Sequence, residues 1–331
     1  MEAVARWDPS LSRAPEPTPS FTTERVMIRA ADGYALAGHR FAPLRKAHAA
    51  VVLPAAMGVG QAYYRSFAEH LAAQGFAVLT FDYRGTGESA PRRLRGLKAT
   101  LDDWARLDYD AALREARAFV DAERNGDESA DDGNGNSGGA GSDAAPAKLF
   151  VVGHSLGGQL IGMVPSRNLI DGVVTIACGS GYWRENTPQL LRRVWLMWYF
   201  AVPVYTLLAG YFPGRRVRKV GDLPKGVILQ WSRWCRDRDY LVGAEGPGAR
   251  AAFADVRCPM LSLSFTDDEM MSARNTESLH GFYVNAQKTM RRIAPSDIGV
   301  SRVGHFGFFR TSSRDSLWRE ATQWLRRQSA A

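Results

Sequence analysis

Residues 151–160 read VVGHSLGGQL, an apolar run that stops at Gly153, with Ser155 two places on and Gly157 two places after that. A surface turn needs one glycine at most. Glycine on both flanks of a serine implies a bend with no room for a side chain on either side. The preceding residues, from Leu149, have the composition of a buried strand, and Gln159-Leu160-Ile161 continues in helix-forming residues. The bend therefore joins a strand to a helix.

Working outward, the chain alternates the two kinds of element. ERVMIRAADGYALAGHRF reads as a hairpin turned at Asp32-Gly33. Short apolar runs at Ala49–Leu53, Phe76–Phe81, Leu149–Val152, Val173–Ala177, Met260–Phe265 and Thr289–Ile293 read as strands. Between and after them, Tyr63–Gln74 (stopped by Gly75), Leu101–Asp121 and Leu317–Arg326 have helical patterns. Apolar strands that alternate with helices imply an α/β fold, a mainly parallel sheet covered on both faces.

Two segments fall outside this alternation. Residues 1–20 are proline-rich and polar and read as a flexible tail, and residues 124–147, RNGDESADDGNGNSGGAGSDAAPA, read as a disordered loop before the next strand. Neither carries enough large apolar residues to offset the entropy of ordering. The N-terminal stretch has no apolar core of signal-peptide length, so a cytoplasmic location is expected.

The net charge of +8 and pI near 9.6 favour anionic surfaces or substrates without deciding a fold. Cys178, Cys235 and Cys258 are scattered and odd in number, which suits small core residues in a reducing compartment. No phosphate-cradling G-x-x-x-x-G-K-[ST], H-E-x-x-H or zinc-like Cys/His spacing occurs, so no cofactor or metal is expected. A nucleic-acid module would gather its charge with exposed aromatics. Here the aromatics sit within an apolar stretch, and no nucleic-acid partner is expected.

Placed between a strand and a helix, Gly153-His154-Ser155-Leu156-Gly157 matches the G-x-S-x-G nucleophile elbow. From about residue 21 onward the chain resembles the α/β-hydrolase superfamily. FDYRGTGES, residues 81–89, is similar to that family's D-x-R-G-x-G-x-S turn. The nearest in appearance are the serine-aminopeptidase-like and monoglyceride-lipase-like hydrolases, with a bacterial group carrying GYFPGRR and GHFGFFR signatures. The resemblance implies a triad in the order Ser, acid, His. Ser155 is the nucleophile, and PMLSLSFTDDEMMS puts the acid at Asp268, with Asp267 the alternative. His305, in the glycine-flanked VGHFGFF, is the base. His280 lies in a helical run and reads as an ordinary surface residue, and His154 reads as packing.

The chemistry needs these types together, because a serine hydroxyl attacks only when an imidazole accepts its proton and a carboxylate holds the ring. Two oxyanion donors are expected, the backbone N–H of Leu156 and one from the loop PAAMGVGQ. There Ala55-Ala56 stands where the family shows His-Gly, and Met57 is the expected second donor. Residues 21–178 and 256–328 would then form the hydrolase core, and 179–255 a helical cap. Within it, residues 194–212 carry no charge between Arg192-Arg193 and Arg215-Arg216. A single membrane span there would put Ser155 and His305 on opposite sides of the bilayer. Two cap helices meeting near Pro203 over an apolar acyl pocket are expected instead, with Trp195, Trp198 and Tyr199 not all facing one way, and with peripheral membrane contact through the cap. The function implied is acyl-ester hydrolysis of a small-molecule substrate. Peptide or thioester hydrolysis, acyl transfer and a non-catalytic binding scaffold are the alternatives.

Overall fold

Eight strands form one sheet in the order β1-β2-β4-β3-β5-β6-β9-β10 in a computed structural model, which describes residues 20–126, 147–216 and 220–331. The strands are β1 (Phe21–Arg29), β2 (Ala35–Pro43), β3 (Ala50–Leu53), β4 (Ala77–Phe81), β5 (Leu149–His154), β6 (Gly172–Ile176), β9 (Met260–Phe265) and β10 (Lys288–Ile293). A separate two-stranded ribbon pairs β7 (Tyr211–Phe212) with β8 (Leu223–Pro224). The β1–β2 and β2–β4 pairings are antiparallel, and the other pairings of the large sheet are parallel. Each strand expected from the sequence is present, with ends moved by up to three residues. Apart from Ser20 and Ala147, the tail and most of the loop expected at 124–147 lie outside the described residues. The helix Asp110–Gly126 runs three residues into that loop's expected start.

Burial follows composition. Every residue of β3, β4, β5, β6 and β9 is buried, as strands covered on both faces require. The edge strands β1 and β10 carry Arg25, Arg29, Arg291 and Arg292, charges that discourage pairing with another chain. The helix Arg65–Ala73 meets the C-terminal segment through Phe67 and Trp318, whose rings lie 5.3 Å apart. The chain leaves β3 towards β4 and then returns across β3 to β5. The loops after β3 and β5 thus open side by side at the carboxyl ends of adjacent strands, the usual place for a site in such sheets.

The segment expected as two helices meeting near Pro203 is one helix over residues 188–209, with a wide π turn at Met197–Ala201. Pro203 has no N–H to give the carbonyl four residues back, and the wider turn just before it absorbs that missing bond without breaking the helix. Trp198 turns inward, with its ring 5.0 Å from that of Trp231, while Trp195 and Tyr199 face outward, so the three do not share one face. Among the described residues no helix is long and apolar enough to cross a membrane.

The 81–89 turn is held by buried charge. Arg84 gives its Nε (2.7 Å) and backbone N–H (2.8 Å) to Asp108, and Nη1 and Nη2 to Asp32 at 2.6 and 3.0 Å. Burial pushes Asp108 up to about 6, opposed by these bonds. Its carboxylate is fully buried, whereas that of Asp32 is 42% exposed. Asp108→Ala is expected to cost about 3 kcal/mol by urea unfolding, because it strands the guanidinium. Asp32→Ala is expected to cost under about 1 kcal/mol.

Candidate active site

Ser155 occupies the bend between β5 and the short helix Leu156–Gln159 with φ +48° and ψ −112°, a conformation side chains rarely adopt. Strain of about 1–3 kcal/mol persists only where surroundings impose it. Here Ser155 N–H donates to the Ile176 carbonyl (2.9 Å), and the amides of Gly158 and Gln159 both return to the Ser155 carbonyl at 3.1 Å. The flanking glycines are sterically required. A Cβ on Gly153 would lie 2.7 Å from the Gly158 Cα, and one on Gly157 would run into the Pro54 carbonyl. The elbow is thereby pressed against the loop that follows β3.

In that loop Pro54 has no N–H. The amide of Ala56 donates to Tyr64 Oη (2.8 Å), and that of Val59 donates to the Ala56 carbonyl (3.1 Å). Among the described residues no hydrogen bond engages the amide of Met57, and its side chain is buried.

Asp268 and His305 are brought together from elements 37 residues apart in sequence: His305 Nδ1 lies 2.9 and 3.1 Å from the two Asp268 carboxylate oxygens. Both residues are buried. Asp268 Oδ1 also accepts the amides of Met270 (2.7 Å) and Met271 (2.9 Å), which fix the carboxylate's orientation. Asp267 does not touch the imidazole. Its Oδ2 accepts the amides of Val303 (2.9 Å) and Gly304 (3.0 Å), and Glu269 Oε2 accepts the amide of His305 at 3.1 Å. Three consecutive carboxylates thus grip the histidine loop, and only the middle one reaches the ring.

His154 packs as expected, and it also joins two loops. Its Nε2 lies 3.0 Å from the His305 carbonyl, which can only accept, so Nε2 carries the proton. Nδ1 then accepts from Tyr64 Oη at 2.9 Å. Burial holds this ring far below the ordinary histidine range, which keeps it neutral. A continuous chain therefore runs from Ala56 N–H through Tyr64 and His154 to His305. Neither Tyr64 nor Glu269 was recognisable from sequence, since each acts only on a segment remote in the chain.

The helix after the elbow is tied to the segment between β6 and β9. Tyr240 Oη donates to Gln159 Oε1 (2.8 Å), and Trp231 Nε1 donates to Tyr240 Oη (3.0 Å). An apolar cavity of about 100 Å³ lies between this segment and the acid-bearing loop, with Val194, Trp198, Ile228, Trp231, Met270 and Met271 among its lining. Cys178 and Cys235 are buried, with thiols raised by burial, and Cys258 is half-buried. Among the described residues no cluster of His, Cys, Asp or Glu is arranged to hold a metal ion.

His280 corrects the sequence reading: it is 1% exposed rather than a surface residue. The buried side of the helix Ala273–Gly281 carries it inward, where Nε2 meets Thr175 Oγ1 (2.8 Å) and Nδ1 meets the Thr276 carbonyl.

This fold and site geometry define the α/β-hydrolase class. The model of the alpha/beta hydrolase family matches residues 50–315, and the chain belongs to that family of enzymes. In structure it is similar to an esterase from Pyrococcus furiosus, at 13% identity and a TM-score of 0.54 over 99% of this chain and 98% of that one. It is also similar to a soluble variant of the monoglyceride lipase of Saccharomyces cerevisiae, at 15% identity and a TM-score of 0.55 over 97% and 98%. In sequence it matches the quorum-quenching protein AidA of Acinetobacter baumannii, 43% identical over 56 residues, which span 16% of this chain and 17% of that protein.

The buried histidines impose a pH dependence on stability. Burial lowers His280 from 6.5 to about 4, so between those values the unfolded chain takes up a proton that the folded chain refuses. The stability this neutral ring contributes is full above pH 6.5 and lost as pH falls towards 4. The expected loss is roughly 3 kcal/mol. Urea midpoints measured across that range should fall steeply in the native protein and less steeply in His280→Gln.

Proposed function

We propose that the protein is a serine hydrolase that cleaves acyl esters through an acyl-enzyme. The observation that carries this reading is the buried His305–Asp268 pair, on the same sheet edge as a serine held at positive φ between a strand and a helix.

In this reading Ser155 Oγ attacks the acyl carbon while His305 Nε2 takes its proton. Asp268, bonded to Nδ1, holds the tautomer that leaves Nε2 free to accept and stabilises the imidazolium without taking the proton. The tetrahedral oxyanion receives the backbone N–H of Leu156 and of Met57, each donor worth about 10²–10³ in rate. His305 then protonates the departing alcohol, and water, activated by the same ring, releases the acid. The Ala56–Tyr64–His154 chain positions the donor loop and the histidine loop relative to the elbow. Residues 179–255 act as a cap, and the apolar cavity beside Met270 and Met271 suits the tail of an acyl group. An uncharged pocket favours an ester of an apolar acid over a peptide, which would bring its own polar groups into that wall.

Ser155→Ala, His305→Ala and Asp268→Asn should each lower kcat/KM on a short acyl ester by about 10⁴-fold or more with the fold retained by far-UV circular dichroism. The Ser155→Ala/His305→Ala double variant should be scarcely worse than the poorer single one, because the three residues act as a unit. Asp267→Asn, which leaves the ring's partner in place, should be milder than Asp268→Asn. Labelling by a fluorophosphonate that disappears in Ser155→Ala supports the reading. Persistence of turnover in that variant overturns it.

A further inference from the structure

We propose that the outward face of the helix at residues 188–209, with the arginine-lined cleft at its C-terminal end, seats the protein on an anionic lipid bilayer. The helix buries one stripe, Val194, Trp198, Val202 and Thr206, with members four residues apart. The opposite face should be polar if it met only water. Instead it presents Trp195, Leu196, Tyr199, Phe200, Leu207 and Leu208, the last two 78% and 71% exposed. Surface of this kind, contiguous and rimmed by charge, marks an interaction site.

The rim identifies the partner. Arg192 and Arg193 stand exposed at the face's N-terminal end. At the other end Arg95 donates Nε to the Ala209 carbonyl (2.9 Å) and Nη2 to the Leu208 carbonyl (3.0 Å), so its loop is fastened to the helix terminus. Arg92, Arg93, Arg95 and Arg215 line a cleft of about 640 Å³ there, alongside a single carboxylate, Asp222. Among the described residues no guanidinium of these arginines, nor of Arg192 or Arg193, forms an ion pair, although the Arg215 backbone N–H donates to Asp222 (3.1 Å).

Guanidinium groups match lipid phosphates, and an apolar helix face flanked by cations and carrying Trp and Tyr is the pattern of a helix lying in the headgroup plane. A second copy fits poorly. Two such faces laid together antiparallel would set Arg192-Arg193 of one against the Arg92–Arg95 cluster of the other, like charges that outnumber the carboxylates beside them, Asp222 and Glu269. The helix would lie along the bilayer with the leucines dipped in and the arginines at headgroup level. This seating leaves the triad's own chemistry unchanged.

The test is co-sedimentation of the full chain with extruded vesicles of phosphatidylcholine alone or mixed with phosphatidylglycerol. Binding is expected only with the anionic mixture and is expected to weaken from low to high salt. Each arginine at such a surface contributes roughly fivefold, so Arg92→Ala/Arg93→Ala should lower the partition coefficient by at least about tenfold. Leu207→Ser/Leu208→Ser should lower it comparably. Both double variants should keep native turnover of a short water-soluble ester, which separates failure of docking from failure of the hydrolase reading. Equal binding to neutral and anionic vesicles, or wild-type partition in either double variant, overturns the proposal. So does loss of vesicle binding on adding inorganic phosphate at constant ionic strength, which would make the cleft a free-phosphate site. A dimer by light scattering that Leu207→Ser/Leu208→Ser dissolves would identify the partner as a second copy and also overturn it.

Discussion

The close approach of the elbow helix to the loop after β3 is the contact on which the rest of the site depends. Gly157 lies against the Pro54 carbonyl and Gly153 against Gly158, with no space for a methyl group at either place. Ser155 is held there at positive φ, and the same contact presses the elbow against the loop after β3. A side chain on either glycine would move the bend, and the serine would lose its place at the sheet's edge. Backbone strain at this position is thus a consequence of packing, sustained by the bonds from Ser155 to β6 and to its own helix.

Around the elbow, polar groups that burial would otherwise penalise are paired with one another. Ala56, Tyr64, His154 and His305 form a single line of donors and acceptors that runs from the loop after β3, through the last residue of β5, to the histidine loop. Inside the protein each such bond is stronger than in water, and each unpaired member would be costly. The same logic governs the run Asp267-Asp268-Glu269. One carboxylate orients the imidazole and its neighbours clamp the backbone that carries it. Three adjacent acids at one turn would repel if left free; here each faces amide or imidazole donors.

The segment between β6 and β9 has a different physical character. Its long helix is apolar on both sides, packed through Trp198 onto Trp231 within and bare without. The uncharged run from 194 to 212 fits such a helix, and Pro203 sits inside it because a π turn precedes it. The hydrogen bond from Tyr240 to Gln159 fastens this segment to the elbow helix.

Local pattern alone determined much of this protein. Short apolar runs between helical segments specify a parallel sheet, because strands buried on both faces read as continuous apolar stretches. Glycines spaced two either side of a serine specify a tight strand-to-helix bend, because only a missing side chain tolerates that geometry. Both signals lie within a few residues, where sequence is most legible. Tertiary structure decided what depends on residues distant in the chain. Asp267 and Asp268 are neighbours of one type, and only the path of the turn after β9 directs the second to His305 and the first to the amides of Val303 and Gly304. His280 carries no local mark of burial, and it is enclosed because Thr175 on β6 faces its helix. Tyr64 looks like any core aromatic until the fold sets its hydroxyl between Ala56 and His154. In each case the deciding partner lies far along the sequence, and only the packed chain brings it within bonding distance.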